Sequence, residues 1–91
     1  MKKEKDVDIK IKMISAVTEA LAFRRIEQDN EKILSHISLL VSGEKNEETK
    51  LAMIAAASKS LEIAEKGLRD KEIIKRIALD SQNILKNIKK I

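Results

Sequence analysis

No proline occurs anywhere in this 91-residue chain, and its only glycines are Gly43 and Gly67. A chain with so little turn chemistry and so many strong helix formers folds by default into helices that can be interrupted at few points. The balance of 43% hydrophobic to 37% charged residues is too apolar for a disordered chain and fits a packed helical one. That core must be almost wholly aliphatic, because Trp and Tyr are absent and Phe23 is the single Phe.

The interruptions are readable. Gly43 follows Leu39-Leu40-Val41-Ser42 and is placed as a glycine just past a helix end, and Gly67 repeats the stop after Lys66. Asn46, with Glu47 and Glu48 behind it, is placed as the next N-cap, and Asp70 as the one after. Val7 to Met13 alternates apolar and polar residues as a short strand would, yet no second alternating segment exists to pair with it. It is therefore read as the start of a helix capped near Asp6 or Asp8.

The stretch from Asp8 to Ser42 is either one long helix or two. At about 100° per residue, Ile9, Met13, Ala16, Val17, Ala20 and Leu21 share one face, while Ile33, Leu34, Ile37, Leu40 and Val41 share another, roughly 120° away. Coiled-coil drift of about 20° per heptad covers only about half of that offset. Between the two sets lies the polar run Glu27-Gln28-Asp29-Asn30-Glu31-Lys32, more than a turn with nothing to bury. Arg24 and Arg25 suit a helix C-terminus, and Asp29 to Glu31 suit an N-terminus. A break near 28–30 is favoured. A single helix with a polar waist is the alternative.

The expected fold is all-α: a small up-down bundle of four helices at about 8–27, 30–42, 47–66 and 70–90, or three helices if the first is unbroken. Residues 1–6 are expected to be a flexible basic tail and 7–91 a single bundle domain. On the third helix the expected buried stripe is Leu51, Ile54, Ser58 and Leu61. Its alanines, Ala52, Ala55, Ala56, Ala57 and Ala64, would admit a close neighbour, though alanine is also simply a good helix former. Shifting by about 23 residues aligns that stripe with Ile74, Ile77, Ser81 and Ile84, a match that two amphipathic helices also produce without a true repeat.

Little in the chain suggests catalysis. There is no Gly-x-Gly-x-x-Gly, no P-loop and no His-Glu-x-x-His, and with no cysteine there is neither a thiol nucleophile nor a Cys-ligated metal. His36, the only histidine, has no acid at i±3 or i±4 and reads as a surface or boundary residue rather than a ligand. No enzyme activity, cofactor or metal is expected. The longest apolar run, Leu51 to Ala57, is seven residues against the roughly 20 that span a bilayer, so no membrane association is expected. The basic start is not followed by an apolar run of signal length. A small secreted domain would usually carry disulfides, so the cytoplasm is the expected compartment.

The net charge of +4 is unevenly placed. Residues 1–67 balance, and the whole excess falls on 68–91. On the last helix Lys71, Lys86, Lys89 and Lys90 fall within about 60° of Lys75 with Gln82 and Asn83 among or beside them, opposite Ile73, Ile74, Ile77, Ser81, Ile84, Leu85, Ile88 and Ile91. Three readings fit this stripe. It is a solvated face whose late lysines complement the helix dipole, a contact for nucleic-acid phosphates, or a contact for an acidic protein surface or an anionic membrane, with protein well ahead of membrane because the apolar face is needed for the core. Base stacking is disfavoured, since no aromatic other than Phe23 is available and Phe23 reads as core.

Some apolar residues fall out of phase with their own helices. Leu79 lies inside the basic stripe, Leu39 lies away from the Ile33/Ile37 face, and Met53 and Ile63 lie off the Leu51 stripe. A leucine ringed by lysines resembles the anchor of a protein interface more than a phosphate site. The expected function is a small non-catalytic accessory or adaptor subunit docking on a larger assembly, with a nucleic-acid-processing machine such as a polymerase complex as the expected host. The contact residues would be Lys71, Lys75, Arg76, Leu79, Gln82, Lys86, Lys89 and Lys90, with Leu39, Met53 and Ile63 as a second apolar contact. The alternatives are direct, sequence-non-specific binding of DNA or RNA, and self-association as a homodimer.

Overall fold

The computed structural model describes residues 6–89, which form four helices: α1 (Asp6–Phe23), α2 (Asn30–Val41), α3 (Glu47–Ala64) and α4 (Asp70–Lys89). The expected tail lies outside the described residues, apart from Asp6, which opens α1. The chain does break after the first apolar set, so the single long helix is ruled out. α1 ends at Phe23 rather than near 27, and residues 24–26 leave it in tight turns, with the Arg25 and Ile26 N–H groups donating to Ala22 and Phe23 carbonyls. The break is sharp because α2 has its own start signal: the Asp29 carboxylate accepts from the Glu31 N–H at 2.9 Å.

Asn46 caps α3 as expected, its side-chain oxygen accepting from the Thr49 N–H at 3.1 Å. Gly67 has φ +86°, the left-handed conformation that favours glycine, and its N–H closes on the Ala64 carbonyl. Gly43 does not adopt that conformation. The end of α2 is closed instead by Ser42, whose N–H and hydroxyl both donate to the Leu39 carbonyl. Asp70 is the first residue inside α4 rather than its cap, since the first helical bond runs from the Ile73 N–H to the Arg69 carbonyl.

Cross-helix side-chain pairs fix the topology. Lys12 meets Glu44 at 2.9 Å, Asn30 meets Glu65 at 2.8 Å, and Lys59 meets Asp80. Successive helices are therefore antiparallel, and the end of α1 reaches the start of α4 through Arg25 and Asp70 at 3.1 Å. α1 and α3 form the most extensively packed pair and each touches both other helices, whereas α2 and α4 do not meet. The α1/α3 pair is thus a spine with α4 on one side and α2 on the other. The core divides accordingly. Ile9, Met13, Val17 and Leu21 pack with Ile73, Ile77, Ile84 and Leu85, while Ala16 and Ala20 pack with Ile33, Ile37 and Val41.

The spine corrects the expected face of α3. Its buried residues are Thr49, Ala52, Ala56, Ala57, Ser60, Leu61 and Ala64, while Leu51 and Ser58 are exposed. A helix in contact with three neighbours turns inward the side chains that let backbones approach, and larger ones move to its flanks. Ile63 and Ala55 lie towards α4, and Met53 and Ile54 towards α2. The buried hydroxyls of Ser60 and Ser81 donate to carbonyls of their own helices, so neither is unsatisfied. Ala56→Leu should therefore cost about 1–3 kcal/mol by overpacking the spine. Leu51→Ala should cost less. Urea titration of both variants, followed by far-ultraviolet circular dichroism, checks the order.

Candidate functional site

α4 acquires its two faces from a simple pattern. Ile73, Ile77, Ser81, Ile84 and Leu85 are buried against the α1/α3 spine, with Ile74, Ala78 and Ile88 half-buried at the margins. The remaining arc carries Lys71, Lys75, Arg76, Leu79, Gln82, Asn83 and Lys86, all exposed. The Lys89 side chain and Lys90 lie outside the described residues.

Leu79 is 76% exposed. Its neighbours on the helix surface are Lys75 and Arg76 one turn before and Gln82 and Asn83 one turn after, with Lys86 a further turn on. Two of the acids of α4 are drawn away from this surface. Asp70 pairs with Arg25, and Asp80 accepts from Lys59 and from the Asn83 amide. The Lys59 hydrogen bond, with the Asn83 bond second, holds the Asp80 carboxyl below its ordinary value of 3.8. The pair therefore stays charged at neutral pH and is lost only as pH falls below that range. Glu72 is the remaining acid on the exposed arc. Among the described residues, Lys71, Lys75, Arg76 and Lys86 have no ion-pair partner. The surface is thus a protruding aliphatic side chain within a field of free cations.

The three residues of the expected second contact separate. Leu39 stands 75% exposed on the outer side of α2. Met53 packs against the α2 half of the core and Ile63 against the α4 half, each touching the second neighbour that a central α3 provides. Leu40, expected inside, is 53% exposed. It lines a cleft of about 230 Å³ between α1 and α2 whose walls are Ser15, Ala16 and Glu19 on one side and Ile37, Leu40 and Val41 on the other, with Met53 contributed by α3. α2 leans on the α1/α3 spine without closing over the groove beside α1, so this leucine lies at an open edge.

His36 has partners that sequence spacing does not reveal. Its ring stacks on Phe23 with centroids 4.2 Å apart and an interplanar angle of 11°, and its Nε2 lies 3.9 Å from Glu19 Oε1. Phe23 is correspondingly half-buried, and it contributes to the α1–α2 contact rather than to the central core. Both partners sit on α1, and only the antiparallel packing of α1 and α2 brings them together. No group of three or more metal-ligating side chains occurs among the described residues. No helix among them is long and apolar enough to cross a membrane.

Comparison with protein-family models, curated proteins and solved structures finds no match to this chain.

Proposed function

We propose that this protein is a small, non-catalytic helical adaptor that docks on a larger assembly through the outer face of α4. The observation that carries the reading is Leu79, 76% exposed and flanked by Lys75, Arg76 and Gln82 on a helix whose other face is consumed by the core. An apolar side chain of that size contributes binding energy when a partner pocket desolvates it, and surrounding cations steer the approach of an acidic rim. The partner is therefore a protein surface with an apolar pocket bordered by Asp or Glu. A host that handles nucleic acid, such as a polymerase complex, suits the cationic excess of the last helix, because loose phosphate contacts then add to the protein contact. The cytoplasm is the compartment that goes with such a host.

Direct binding of DNA or RNA is the reading to test against this one. Titration of labelled duplex DNA at rising salt is expected to show only weak binding that falls steeply with salt and is unchanged by Leu79→Ala. Tight binding that survives moderate salt, and that charge reversal at Lys75 and Lys86 abolishes, would establish the phosphate reading instead.

A further inference from the structure

We infer that the cleft between α1 and α2 is a binding site for a small organic ammonium ion carrying one ring or branched aliphatic group. Two contacts bracket the cleft along the helices. At one end the Phe23 and His36 rings stack at 4.2 Å, and at the other Lys12 meets Glu44 at 2.9 Å. Between them α1 offers Ser15 and Ala16, which are too short to fill the gap to α2, with the exposed Glu19 carboxylate beside them. The opposite wall is Ile37, Leu40 and Val41, and α3 contributes Met53. About 230 Å³ stays open.

Size and chemistry select the occupant. A void of about 150 Å³ already admits a benzene-sized group, so the cleft takes a single ring or a branched aliphatic chain. It spans about one turn of each helix, Ser15 to Glu19 on α1 and Ile37 to Val41 on α2. That is roughly 6 Å, too short to seat a partner helix, which needs anchors over at least two turns. Five of the seven lining residues are apolar, and Glu19 is the single charged one. An apolar slot with one carboxylate at its wall accepts a cation and repels an anion. Glu19 is available for that task. His36 Nε2 stands 3.9 Å from it, beyond hydrogen-bond distance, and Lys12, on the same helix, is engaged by Glu44. The apolar walls supply most of the affinity, and the exposed carboxylate sets the sign of the charge that is accepted. The site is independent of the docking role of α4, since α2 and α4 do not meet.

Titration of the isotope-labelled full chain with phenethylamine, followed by two-dimensional NMR, tests the site. Saturable shifts are expected at the backbone amides of Ala16, Glu19, Ile37 and Val41, with a ring-current displacement of the Met53 methyl and no change at Leu79. The dissociation constant should be about 1 mM, the range open to a ligand of this size in a shallow cleft. Glu19→Gln should weaken binding about fivefold, as should replacing the amine by phenethyl alcohol. Phenylacetate should bind more weakly still, and ethylamine, which lacks the ring, should give no saturable shift. Glu19 is exposed, so helicity and melting temperature should hold in the variant. Shifts that do not saturate by about 10 mM phenethylamine, or that map away from the cleft, overturn the inference. So does phenylacetate or ethylamine binding as tightly as phenethylamine, or a Glu19→Gln variant with unchanged affinity.

Discussion

Ile77→Ala is expected to lower the free energy of unfolding by about 2–5 kcal/mol, the cost of an aliphatic truncation that leaves a void. Ile77 is fully buried, and it belongs to the half of the core where α4 meets Met13, Val17 and Ala56. A domain of this size has roughly 5–14 kcal/mol of stability in total, so the loss would leave the chain marginal at physiological temperature. The effect should be large because the site is poorly placed to collapse. Ala52, Ala56 and Ala64, the α3 members of the same cluster, have no side-chain length with which to fill the space. Urea unfolding measures it, with Leu79→Ala as the surface control that should shift stability by less than about 0.5 kcal/mol. Equal effects at the two positions would mean that α4 does not present the face described.

Leu79→Glu should leave folding intact and cost the partner contact about 2–4 kcal/mol, or roughly 30- to 1,000-fold in affinity. The substitution removes the apolar anchor and also places a carboxylate where the proposed partner is acidic. Substitutions at the cations should behave differently. Lys75→Ala or Lys86→Ala removes a rim charge, slows association and weakens the salt dependence, with a smaller loss of affinity. A surface that reads phosphate would reverse that ranking. Binding would then follow the number of lysines and be indifferent to the leucine.

Much of this surface was legible in the sequence, because α4 is an outer helix with one neighbouring pair to face. Its isoleucines set the phase, and Leu79 stands out as the apolar residue that violates it. The buried face of α1 was legible for the same reason, and Ile9, Met13, Val17 and Leu21 all lie inside. α3 was misread because hydrophobicity ranks leucine above alanine. In a central helix the close approach of α1 decides, and Ala52, Ala56 and Ala57 take the inside while Leu51 faces out. Leu40 was misread because a helical wheel does not report whether the groove beside it closes. The contacts of His36 with Phe23 and Glu19 join residues far apart in sequence, and no local spacing encodes them.

Affinity capture from native cell extract after nuclease treatment tests the docking role of α4 most directly. Wild-type protein and Leu79→Glu are immobilised side by side, with Leu39→Glu as a third bait. The expected result is a discrete protein partner that survives nuclease, is retained by the wild type and by Leu39→Glu, and is lost with Leu79→Glu. Retention that vanishes with nuclease, or a partner that Leu79→Glu holds as firmly as the wild type does, would contradict it.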